Sequence, residues 1–236
     1  MKRWIFFLFG VLVLLLMPAA LGMVFYFAPL ERTMGLVQKI FYFHVGYAAM
    51  MMFGFGTCGI ASLIYLVTPG ASIGTRMYVD AIAVAAAEVG LVGGGGVMIM
   101  GPLWAHEAWG TYWTWEPRLT LSLVAFFIFL GYMALRSFSG TDDYSKKVSA
   151  GLAILGLPAL YFIQIAVSKW GGAHPKVVFT GGLKSGGMKE TFFMALGTLL
   201  LMGLLLGWLR AWIEIQQAKL SQLVMKIDAF RREVTG

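Results

Sequence analysis

The chain has 236 residues, of which 59% are hydrophobic and only 12% charged. A soluble domain carries about twice that share of charge, so the composition excludes one and points to an integral membrane protein. The net charge of +7 is not a nucleic-acid signature: no zinc-finger spacing, dense basic stripe or phosphate-cradling glycine loop accompanies it, and basic residues between apolar blocks act as anchors.

Six apolar blocks follow in chain order, at 4–28, 41–67, 77–101, 119–138, 148–167 and 191–209. Each is long enough to cross a bilayer as a helix. Backbone groups in lipid must pair within their own segment, and the period-2 pattern of a barrel is absent, so the predicted fold is all-α and polytopic with six transmembrane helices. The opening Met1-Lys2-Arg3-Trp4 imitates a secretory signal, but the apolar run continues to Ala28. That exceeds the ~7–15 residues of a signal core, and an uncleaved first span is expected. The single cysteine, Cys58, lies inside the second block and cannot form an internal disulfide. No Cys-x-x-Cys-His is present, so the chain is not itself a c-type cytochrome.

Lys and Arg set the orientation. With the N-terminus inside, eleven basic residues fall on the inner side and seven on the outer. The inner set is Lys2, Arg3, Arg76, Arg136, Lys146, Lys147, Arg210, Lys219, Lys226, Arg231 and Arg232. Against the trend, the last outer loop holds Lys169, Lys176, Lys184 and Lys189, which suggests a role of their own. The outer face then receives 29–40, 102–118 and 168–190, while the inner connections 68–76 and 139–147 are short turns. Beyond the membrane domain, 1–209, the tail 210–236 continues apolar positions at 209, 213, 220, 223, 224, 227, 230 and 234. That is helical spacing with charge on the other face. It suits a helix on the inner membrane surface, one docked on a partner, or a solvated extension of the last span.

The chemistry concentrates at the outer ends. Residues 109–120 read Trp-Gly-Thr-Tyr-Trp-Thr-Trp-Glu-Pro-Arg-Leu-Thr. Aromatic faces stack on flat apolar molecules, and an adjacent Arg can hold a carboxylate. Haem is both flat and carboxylated, so the block suggests a haem platform at a membrane surface. If 104–116 is helical, Trp109, Tyr112, Trp113 and Glu116 share one face and Trp104 and Trp115 another. Pro117 ends that segment, and Arg118 opens the next span, free to bind a propionate or pair with Glu116. The bland reading is an interfacial aromatic belt. His44, His106 and His174 all fall near the outer face. Imidazole is a common axial ligand of haem iron, and histidine in lipid usually faces a cavity or partner; each alone also suits a hydrogen-bonded interface residue. Glu88 lies mid-span, where a carboxylate must be neutral, paired or facing water, and an interhelical hydrogen bond is expected. Gly90 and Gly93 to Gly96 read as close helix packing. The fifteen methionines read as space-filling.

The Trp block resembles the signature of the Trp-rich haem-handling family of cytochrome c maturation, approximately Trp-Gly-Thr-Trp-Trp-x-Trp-Asp-x-Arg-Leu-Thr. The match runs through Trp109, Gly110, Thr111, Trp113, Trp115, Arg118, Leu119 and Thr120. Tyr112 stands where the family has Trp, and Glu116 where it has Asp; ring and carboxylate are kept. Lys39-Ile40-Phe41-Tyr42-Phe43-His44-Val45 resembles the segment with the family's first axial histidine. Trp170 and His174 resemble the second, with Gly181-Gly182 in the loop beyond. Lys169 replaces a family Trp, Gly171-Gly172 is atypical, and His106 matches no family histidine. Six spans and this length suggest the CcmC type rather than the larger relatives CcmF and CcsA.

The resemblance implies transient bis-histidine ligation of haem b by His44 and His174. The ring would lie over Trp109, Tyr112, Trp113 and Trp115, with Glu116, Arg118 and Trp170 completing the site. It implies delivery to a CcmE-like membrane-anchored haem chaperone and work with a CcmA/CcmB/CcmD-like ABC transporter. No ATP site is in the chain, which reads as a delivery component rather than an enzyme. The implied location is the bacterial cytoplasmic membrane, multi-pass among its lipids, with cytoplasmic termini and the haem site facing the periplasm. Alternatives are a transporter of haem or another small molecule with an aromatic gate, and ligation of haem to a partner within the chain's own pocket. A resident-haem electron carrier would need mid-span histidine pairs, which are absent.

Overall fold

The computed structural model describes residues 2–138, 142–175, 183 and 186–235. Lys176, Lys184 and Gly181-Gly182 lie outside the described residues, as do the side chains of Lys2, Arg3 and Val234. Six helices are long and apolar enough to cross a membrane. They are α1 (Lys2–Gly22), α2 (Gln38–Val67), α3 (Ile73–Trp109), α4 (Pro117–Phe138), α5 (Asp143–Trp170) and α6 (Met188–Thr235). A π-helical turn, Met23–Phe27, extends α1. The chain therefore passes up and down six times, as the six apolar blocks predict.

One boundary differs from the sequence expectation. Helix α3 ends at Trp109 because Gly110 takes a left-handed conformation (φ 75°) and its N–H closes the last turn on the His106 carbonyl at 2.8 Å. Glycine adopts that geometry without a Cβ penalty. Residues 111–116 consequently leave the helix, and Trp109, Tyr112, Trp113 and Glu116 do not form one helical face. Pro117 opens α4, where its missing N–H costs nothing. At the other end of the chain, α6 runs from the last span through residues 210–235 as one helix. Its 48 residues reach about 72 Å at ~1.5 Å per residue, more than twice the ~30 Å hydrocarbon layer.

The core forms on α2. A methyl group on Gly54 would lie 2.5 Å from the Gly90 backbone, and one on Gly93 would lie 2.5 Å from the Met51 nitrogen. The glycines of α3 thus let two backbones approach, the close packing expected of them. Phe55, whose ring also borders Gly90, stacks on Phe129 of α4, centroids 4.0 Å apart.

Ion pairs lock the end of the bundle away from the histidines. Asp80, buried on α3, accepts from Arg136 of α4 at 2.9 Å and pairs with Lys146 of α5 at 2.8 Å. Asp143 gathers Tyr65, Arg76 and Lys147. Glu88 accepts from Arg210 of α6 at 2.7 Å, and Arg210 also reaches Glu214. The interhelical role expected of Glu88 is therefore that of an ion pair.

Candidate functional site

At the other end, α2, α3, α4 and the segment after α5 converge. The first turn of α2 is anchored by Lys39, whose buried ammonium donates to the Phe25 carbonyl at 2.6 Å in the preceding π-turn. This fixes the helix that carries His44. Gly101 of α3 faces the imidazole: a Cβ there would lie 3.1 Å from His44 Cε1. His44 Nδ1 is buried with no hydrogen-bond partner among the described residues.

His174 arrives from the opposite side on a short loop. Gly171 (φ 77°) and Gly172 (φ 139°) turn the chain through conformations that side chains resist. The Ala173 N–H donates to Glu116 Oε2 at 2.6 Å, a charge-assisted bond that holds the loop against the Trp block. A Cβ on Gly172 would meet the same carboxylate. The atypical Gly171-Gly172 is thus a geometric requirement of this loop, and Glu116 positions His174 rather than forming an ion pair with Arg118. His174 Nδ1 donates to the Pro175 carbonyl at 3.2 Å, leaving Nε2 as the free lone pair.

The two imidazoles face each other with centroids 6.5 Å apart and planes inclined by 37°. Metal–imidazole bonds of about 2 Å on either side of one ion would separate the centroids by roughly 6 Å. Burial, the Arg118 charge and the neighbouring His44 push the His174 pKa down to about 4. The ring is therefore neutral, the form that can ligate. Arg118, half-buried in the first turn of α4, makes no ion pair within 4 Å among the described residues. Trp113 Nε1 and Glu116 Oε1 are also buried without partners there.

The aromatic residues divide into separate sets. Trp113 meets Trp115 edge-on at 5.8 Å, and Trp109 meets Trp104 at 5.2 Å. Tyr112 stacks on His106 at 4.2 Å. Trp170, at the end of α5, leans on Phe162 at 5.9 Å. Among the described residues no ring contact joins Trp109, Tyr112, Trp113, Trp115 or Trp170 to either member of the histidine pair. Tyr112 and Trp115 are 56% and 76% exposed, although one face of Tyr112 is covered by His106. Two roles were missed in the sequence: His106 as the stacking partner of Tyr112, and Lys39 as the clamp on α2. The signal for Lys39 was a lysine one turn before an apolar helix carrying histidine. An apolar cavity of about 790 Å³, bordered by Met50, Phe53, Val89, Gly203 and Trp208, contains no histidine and is separate from this site.

A family model described as "Heme exporter protein C" matches residues 1–230. The chain belongs to the heme exporter protein C family. Relatives of that name include one from Bradyrhizobium diazoefficiens, 35% identical over 62% of this chain and 54% of its own length. One from Paracoccus denitrificans is 29% identical over 85% of this chain and 83% of the relative. One from Escherichia coli strain K12 is 30% identical over 64% of this chain and 59% of the relative. The chain thus spans a little over half the length of several curated relatives of the heme exporter protein C family. Membership and six apolar helices together describe a multi-pass membrane protein.

Proposed function

We propose that this protein binds haem at one end of its bundle, with iron between His44 and His174, and passes it to a partner in c-type cytochrome biogenesis. The observation that carries this reading is the 6.5 Å separation of the two facing imidazoles. Structural zinc usually takes four protein ligands and catalytic zinc three. Among the described residues no group of three or more His, Cys, Asp or Glu is placed to hold a metal. Two imidazoles suit an iron whose other four positions come from a macrocycle.

The polar groups around the pair suit the rest of such a ligand. The Arg118 charge acts on both rings, and its guanidinium would hold a propionate bidentately. Trp113 and Trp115 would offer indole faces to the ring, and Trp109, Tyr112 and Trp170 would serve as a rim that an arriving partner meets. The exposed rings favour handover over permanent retention. A CcmE-like chaperone would receive the haem. A CcmA/CcmB/CcmD-like ABC transporter would supply the energy, and the site would face the periplasm with both termini cytoplasmic.

Absorption spectroscopy of the purified protein tests the reading. The wild type should give a six-coordinate, bis-histidine haem spectrum. His44→Ala and His174→Ala should each lose it, and His106→Ala should keep it. A bis-histidine spectrum surviving either of the first two changes would refute the ligand pair.

A further inference from the structure

The far end of α6 has no counterpart in the haem site. From Lys219, where charge resumes, to Thr235 the helix continues for about 25 Å at ~1.5 Å per residue. Leu220, Leu223, Ile227 and Phe230 are 50–68% exposed along this stretch. With Ile213 in position a of a heptad, Leu220 and Ile227 repeat at a, Leu223 and Phe230 fall at d, and Gln216 is the one polar d residue. Five of these six seam positions are apolar. That is the 3.5-residue spacing of a coiled-coil seam, with a polar residue of the kind that fixes register.

As far as Arg231 every charged residue on the flanks of the seam is basic, with uncharged Gln217 and Val224 at the other e positions. Lys219 and Lys226 occupy g, Arg231 occupies e, and the first acid on either flank is Glu233. Flanking charges choose the partner. A second copy, held in the same membrane with the same polarity, can pair only in parallel. Parallel pairing sets g against the following e of the other strand, placing Lys226 of each copy beside Arg231 of the other. Nor is the helix built to fold back onto a membrane surface: residues 208–235 contain neither Gly nor Pro, and α6 is continuous to Thr235. Lying flat would require breaking it.

We propose that the projecting part of α6 is a docking helix for one partner protein. The segment it takes is an amphipathic helix with an apolar heptad seam and Glu or Asp on its flanks. The site is remote from the histidine pair, and the inference does not depend on what that pair binds.

The test uses the full chain in native membranes. A photo-reactive phenylalanine replaces Leu223 on the seam or, as control, Ser221 on the outer face, and the cross-linked peptide is sequenced by mass spectrometry. The expected product joins position 223 to a segment of another protein with apolar residues at heptad spacing and acidic flanks, and is absent at 221. The Lys219→Glu, Lys226→Glu double variant should lower its yield about tenfold, as two flanking pairs change sign. The circular-dichroism thermal midpoint of that variant in detergent should be unchanged, showing a folded protein. A cross-link to a second copy of this chain, to lipid, or to nothing would overturn the proposal, as would a yield indifferent to charge reversal.

Discussion

What surrounds each ring of the histidine pair sets its protonation. Loss of solvent and the Arg118 charge lower the His174 pKa from 6.5 to about 4. A histidine with a depressed folded pKa binds fewer protons folded than unfolded between those values. Stability is therefore fully present above about pH 6.5 and falls as pH drops toward 4. Ligand binding should follow the same window, persisting well below the pKa of a free imidazole. Arg118→Gln removes one of the depressing charges, so the His174 pKa rises and the acid midpoint of haem loss moves to higher pH. A pH titration of haem absorbance in the two proteins checks this, and a midpoint unmoved or moved downward would contradict the role given to Arg118. That Arg118 belongs near the site was legible from its place after the Trp block. That Glu116 bonds the Ala173 N–H and not Arg118 was hidden, since the two partners lie 57 positions apart in sequence.

At the scale of the helices, glycines decide the distances. The α2–α3 contact depends on Gly54 facing Gly90, with no room for a side chain between them. Gly54→Val should force the helices apart and cost about 1–3 kcal/mol, the usual penalty of overpacking. Unfolding in mixed detergent micelles would measure it. Gly56, where a Cβ would meet nothing within 4 Å, gives the control: Gly56→Ala should leave the midpoint nearly unchanged. The spans themselves were readable from apolar block lengths. The ends were not, because they depend on local conformation. Gly110 in the left-handed region stops α3 and sends Tyr112 to Trp115 out of the helix, and the period of the aromatics carries no trace of that turn.

For the whole molecule, two polar ends are separated by an apolar middle. One holds the histidines, and the other is stapled by Asp80, Arg136 and Lys146 across α3, α4 and α5. Asp80 and Arg136 side chains are 10% and 8% exposed. Removing the carboxylate strands two cations, so Asp80→Asn should destabilise the fold by about 3–5 kcal/mol. Asp143→Asn, at a carboxylate 56% exposed, should cost about 1 kcal/mol or less. Comparing thermal inactivation of the two variants distinguishes a buried staple from a surface ornament. Asp80 drew no attention in the sequence, where it precedes an alanine-rich run. Several basic residues that set the orientation count are also structural partners of acids: Arg76 of Asp143, Arg136 and Lys146 of Asp80, and Arg210 of Glu88.

The sequence alone determined that the chain carries six helices long and apolar enough to cross a membrane, with its histidines and its Trp block at or beside the ends of those spans. Apolar block length and residue type act locally and can be read without coordinates. Only the tertiary structure decided that His44 and His174 face each other across 6.5 Å, that Glu116 holds the second of them in place, and that the Trp block is a turn. Those facts depend on contacts between segments far apart in the chain and on backbone angles at Gly110, Gly171 and Gly172, which no local pattern encodes.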